Sequence, residues 1–286
     1  MNPYDLPGPA FIGLYLVVLA AAIIAANRLR WAMRAPGGDP GRLDLEPYAV
    51  AYLAGGSDLA VNAALASLCQ RGALAVDASG GSVTVTDVLP PGADLLETAV
   101  YRFVRRRGQG TIKDIRENPF PEIDLIRRRL EATGLVLAPE EALRAWLRPV
   151  LLILTATVFG GVKMAVGVSR QRPVEFLVVL TVLSVIVAVV LLCTRPDRTR
   201  RGDRALELLR LRNAALRTSA RHGAGLLDGR DLAFAVGLFG VGVLYGGPMA
   251  PVAHALQPSP AGGGGGGCGG GGGGCGGCGG CGGCGG

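Results

Sequence analysis

Five cysteines near the C-terminal end are the residues whose type and spacing most readily suggest chemistry. Cys268, Cys275, Cys278, Cys281 and Cys284 stand in a stretch, 262–286, that is otherwise glycine, and the last four recur at every third position. Four thiolates can hold zinc or an iron–sulfur cluster, and deprotonated sulfur is the preferred ligand of soft ions. Defined metal centres also need packed, hydrogen-bonded groups that hold the ligands in place. Poly-glycine offers none, and glycine loses more freedom on ordering than any other residue. The tail is therefore expected to be a disordered, low-complexity segment, with weakly selective soft-metal or thiol chemistry at these five cysteines as the alternative. Cys69 and Cys193 read as buried and structural.

Other chemistry-bearing patterns are missing from the sequence. Lys113 and Lys163 are the only lysines, and neither has the glycines and the following Ser or Thr of a phosphate loop. His222 and His254 are the only histidines, in contexts that read as flexible, and no HExxH pair occurs. Ser184 lies inside an apolar run without a glycine elbow and is expected to bond its own helix. The expectation is a non-enzymatic protein with no cofactor.

The elements around these residues are dominated by apolar runs. Hydrophobic residues make up 49% of the 286, charged residues 18%, and the mean hydropathy is +0.38. A soluble domain carries about 25% charged residues. The first run, Ala10–Ala26, has no basic residue before it and Arg28, Arg30 and Arg34 after it, which favours a retained helix over a cleaved signal. Two further runs, Pro149–Ser169 and Pro173–Thr194, are separated by Arg170-Gln171-Arg172 and read as a helical hairpin. Lys163 lies near its turn, where its ammonium reaches the interface, and Glu175 near the same end is placed to pair with it. A fourth run, Leu232–Ala253, is uncharged but rich in Gly and Pro, and reads as either a span or an interfacial segment.

These runs predict an α-helical integral membrane protein with three spans, a candidate fourth, and an inserted winged-helix-like α+β domain. The expected divisions are a transmembrane helix in 1–29, a cytoplasmic α+β domain in 30–148, a transmembrane hairpin in 149–194 and a basic amphipathic cytoplasmic segment in 195–231. The candidate fourth span, 232–253, and a Pro then Gly/Cys-rich disordered tail, 254–286, follow. The arginines bordering the runs place the protein in the cell membrane as a multi-pass chain, with the N-terminus outside and 30–148 cytoplasmic.

Within 30–148, Asp58–Cys69 has helical spacing with Ser57 as N-cap, and Ala73–Asp77 with Ser82–Asp87 reads as a hairpin around Gly80-Gly81. Helices are expected at Leu95–Arg106, Thr111–Asn118 and Pro121–Thr133, and a short strand at Gly134–Leu137. This region holds 15 basic and 15 acidic residues, so nucleic acid is not an expected partner. The expected partners are a lipid bilayer, a protein docked on the cytoplasmic domain and soft metal ions at the tail. Segment 195–231 carries 10 arginines against 5 acids, and its leucines at 206, 208, 209, 211 and 216 suit a helix lying on anionic lipid, or equally an ordinary linker helix.

The chain resembles a family of bacterial membrane proteins, common in actinomycetes, with low-complexity Cys-rich C-termini. The resemblance is carried by Asn2-Pro3-Tyr4-Asp5-Leu6-Pro7-Gly8-Pro9, by Ala51-Tyr52-Leu53-Ala54-Gly55-Gly56, by Ala63-Ala64-Leu65 and Arg71-Gly72-Ala73-Leu74, and by the tail. That family has no established activity, so the resemblance implies an arrangement and not a mechanism.

The tail reading is directly testable. A reduced peptide of residues 262–286 is expected to bind zinc no better than a peptide with scrambled cysteine spacing. A preference of about tenfold, ~1.4 kcal/mol, for the native spacing, read by competitive titration, would make the tail a dedicated site.

Overall fold

A proline in the first turn and the apolar run behind it begin the helix around which the other elements pack. The computed structural model describes residues 8–33, 44–77, 81–144, 198–223 and 227–257, with isolated residues between 147 and 158 and between 182 and 189. In these residues the chain is mostly helical, with one three-stranded sheet. Helix α1 spans Gly8–Met33 and the central helix α2 spans Pro47–Gln70. Strands β1 (Leu74–Val76) and β2 (Ser82–Val85) form the expected hairpin. Then come α3 (Leu95–Arg107), β3 (Gln109–Thr111), α4 (Ile112–Glu117) and α5 (Pro121–Ala132). The second half contributes α6 (Arg200–Arg212), α7 (Ala214–Gly223), α8 (Gly229–Phe239), a 3-10 turn at Val241–Gly246, and α9 (Ala250–Leu256).

Local chemistry accounts for most of the boundaries. Asp94 and Glu97 form a reciprocal cap at the start of α3, as do Thr111 and Asp114 at the start of α4. Pro121 supplies the preset φ at the start of α5, and Arg105, Arg106 and Arg107 complement the negative end of α3. The sheet is antiparallel in the order β1-β2-β3, with Leu74 opposite Val85 and Val83 opposite Gly110. Sequence reading missed β3, because three residues between two helices carry no alternation to detect. The strand expected at Gly134–Leu137 is a single bridge, Val136 to Arg198.

α2 is bent at Gly55 (φ −150°, ψ 17°) and Gly56 (φ 72°, ψ −160°). The second of these is a left-handed conformation that glycine adopts without a Cβ penalty. The helix start expected at Ser57 therefore marks a bend within a longer helix. Arg198 covers the bend by donating to the carbonyl of Ala54 at 2.9 Å.

The expected three or four membrane spans are contradicted. Among the described residues, one helix is long and apolar enough to cross a membrane, and it is α2, which is mostly buried inside the protein. The first expected span coincides with α1, of which Leu16–Leu29 is an apolar stretch of fewer than 18 residues among the described side chains. The hairpin expected in 149–194 lies largely outside the described residues. The candidate fourth span is divided among three short helices of 11, 6 and 7 residues, the first break falling at Gly240 (φ 79°), against the roughly 20 a crossing needs. Leu232, Ala233, Ala235, Val236 and Leu238 of that run are buried in the protein. A helix apolar on all sides is what lipid selects and also what a protein core selects. Hydropathy does not separate the two.

Segments expected to be separate share one core. Buried residues from Tyr48 to Val136 and from Ala205 to Leu256 form a single apolar cluster. α2 and α8 pack closely within it, where a Cβ built on Gly237 would lie 3.0 Å from the backbone nitrogen of Ala51 and 3.1 Å from its Cα. Gly237→Val is expected to force these helices apart and to destabilise the protein by about 1–3 kcal/mol, read as a lowered urea midpoint at unchanged slope. A wild-type midpoint would show that the contact is dispensable.

Candidate functional site

The most heavily engaged polar group in the core is the carboxylate of Glu97, 1% exposed, at the start of α3. Its Oε1 accepts from the Tyr48 hydroxyl, across the core on α2, and from the Ser67 hydroxyl at 2.6 Å. Its Oε2 accepts from the Asp94 backbone N–H at 3.0 Å and faces the Arg71 guanidinium at 3.6 Å. Both oxygens are thus occupied, which is the condition under which a charge is tolerated in a core. Burial, and then the adjacent Glu97 charge, push the Tyr48 phenol far above its ordinary range. It therefore remains protonated and serves as a donor. Gly229, at the start of α8, closes the cluster: a Cβ there would meet Arg71 Nε and would lie 2.7 Å from the Ser67 hydroxyl.

Sequence reasoning missed this cluster, although the Asp94-x-x-Glu97 spacing was available as a capping signal. What the spacing does not reveal is that the same carboxylate turns inward to meet α2.

A second tie runs through Arg116 of α4. Its Nε donates to Asn62 Oδ1 at 2.9 Å, and Nη2 donates to the Leu256 carbonyl at the end of α9. Burial lowers its pKa, opposed by the charge of Asp58. Arg210 of α6 likewise donates to the Leu238 carbonyl at 2.8 Å, near the end of α8. In each tie a guanidinium meets a backbone oxygen that has run out of helix to bond with.

Among the described residues, those singled out by sequence do not converge. Cys268, Cys275, Cys278, Cys281 and Cys284 lie outside the described residues, as do Cys193, Lys163 and Glu175. Cys69 is partly buried, and burial pushes its thiol up to about 12, so it stays protonated and unreactive at neutral pH. Lys113 pairs with Glu117 on the surface of α4 at 3.8 Å. The histidines are not in flexible segments: His222 is in α7, and His254 is in α9 with its ring edge-to-face on Tyr245 at 4.9 Å. Ser184 is fully buried with its hydroxyl 3.2 Å from that of Thr157, so the two runs expected to form a hairpin do meet there. Among the described residues, no group of three or more His, Cys, Asp or Glu is placed to hold a metal ion.

No protein-family model, curated protein or solved structure matches the chain, so the functional reading rests on its own residues.

Glu97→Ala would strand the Tyr48 and Ser67 hydroxyls and the Arg71 guanidinium in the core. A loss of about 3–5 kcal/mol is expected, whereas Glu97→Gln, which retains an acceptor, should lose distinctly less. Chemical denaturation checks both variants, and equal losses would show that hydrogen bonding at this carboxyl is unimportant.

Proposed function

We propose that this protein is a non-enzymatic scaffold or sensor associated with a lipid bilayer, whose folded unit docks another protein. The observation that supports docking is the division of labour among its arginines. Arg71, Arg116 and Arg198 are partly buried and, with the more exposed Arg210, bond groups that tie the helices. Arg102, Arg105 and Arg106 of α3 and Arg128 of α5 stand exposed on helices fixed by caps and by the core. A rigid surface carrying guanidinium forks suits carboxylates on a partner protein.

Association with a bilayer is supported by the apolar side chains that face outward. Leu16, Val17 and Ile24 of α1 are 47%, 67% and 61% exposed. Leu151, Leu154, Val158 and five residues between Val182 and Val189 are also exposed, while the Thr157 and Ser184 hydroxyls meet in the interior. Exposed apolar surface of this extent needs a cover. A second reading, soft-metal handling at the tail, is supported by the thiol spacing alone and is decided by the peptide titration above.

Charge reversal tests the docking reading. The full chain with Arg105→Glu and Arg106→Glu is expected to lose its crosslinked protein partners in native membranes while unfolding like wild type. Identical crosslinking profiles, or none for the wild type, would remove the docking reading.

A further inference from the structure

Helix α6 carries leucine on two opposite sides. Ala205, Leu206 and Leu209 are buried, and Leu206 and Leu209 close on Val50 and Leu238. At about 100° per residue, Leu208 and Leu211 fall on the side away from the core, flanking Arg204. They are 39% and 68% exposed. A helix that serves the core alone puts polar residues on its outer side. Here the outer side mixes leucine with charge: Arg204 and Arg212 are exposed on α6, as are Arg217 and Arg221 on α7, which follows directly after Asn213. Asp203 and Glu207 also lie outward, so these four arginines stand against two acids. The Arg217 guanidinium sits 5.9 Å from the centre of the Phe239 ring, which ties α7 to the end of α8.

We propose that the outer side of α6, with the arginines of α7, docks on the anionic headgroups of a lipid bilayer. Leu208 and Leu211 enter the boundary between headgroups and acyl chains, and the arginines pair with lipid phosphates. Both halves of the surface are then used: a guanidinium matches phosphate in a bidentate fork, and apolar side chains among basic ones are what the interfacial layer accepts. An acidic protein would engage the arginines and leave the two leucines without an apolar partner. The inference rests on the reading that a bilayer is one of the protein's partners.

The experiment places a reporter at the predicted depth. The full chain with Leu211→Trp is mixed with vesicles of brominated phosphatidylcholine, alone or with brominated phosphatidylglycerol. Fluorescence is compared with that of the unsubstituted chain, whose tryptophans are Trp31 and Trp146. Extra quenching is expected in the anionic vesicles, reduced roughly twofold or more by high salt or by adding Arg212→Gln and Arg217→Gln. Circular dichroism establishes that each variant is folded. No extra quenching, or equal quenching in neutral vesicles, overturns the inference while leaving bilayer association intact if the chain still sediments with vesicles. A chain that sediments with neither vesicle overturns both. A spectral change with polyglutamate but not with anionic vesicles would assign the surface to an acidic protein and overturn the lipid assignment.

Discussion

The contact on which the rest of the fold depends is the close approach of α8 to α2 at Gly237 and Ala51. It brings a helix from the last quarter of the chain against one from the first quarter, so the second half of the chain completes the core begun by the first. The approach is close enough that a Cβ at position 237 would press on the Ala51 backbone at 3.0–3.1 Å. α6 then closes a smaller cluster on Val50 and Leu238. The ends of the helices are secured separately, by Arg210 on the Leu238 carbonyl and Arg116 on the Leu256 carbonyl.

Polar groups buried in such a core are costly unless paired, and their arrangement shows how that cost is met. Glu97 combines two tasks: it caps the start of α3 through the Asp94 N–H, and it gathers Tyr48, Ser67 and Arg71 from α2 and the turn that follows it. The carboxylate's four partners come from both sides of the α2–α3 contact, so the register between these helices is set by hydrogen-bond geometry as well as by apolar packing. The surface follows a different logic. Arginines not used as ties remain on α3, α5, α6 and α7, and exposed leucines accompany them on α5 and α6. Polar groups are paired inside, and charge and apolar side chains are mixed outside.

Much of the local structure was legible in the sequence. The helix at Leu95–Arg107, the hairpin on either side of Gly80-Gly81, and the proline-started helix at Pro121 follow from capping residues, alternation and preset φ. Leucine spacing marked 205–217 as amphipathic. The candidate site was legible only in part, since Asp94-x-x-Glu97 announces a cap but not the inward turn of the carboxylate.

By itself, then, the sequence determined where helices and turns begin and end, because those signals are local: a cap, a proline, a glycine, a period. It also determined that the chain must bury an unusual amount of apolar surface. Only the tertiary structure decided what buries it. The run at Leu232–Ala253, apolar throughout, is covered by α2 and its neighbours, and α2 itself is long and apolar enough to cross a membrane yet lies inside the protein. Water-to-lipid and water-to-core transfer both reward the same side chains in proportion to apolar area, so composition is blind to the difference. The choice is made by long-range shape, where a glycine at position 237 lets one backbone meet another and Gly240 breaks the run into lengths that suit a core.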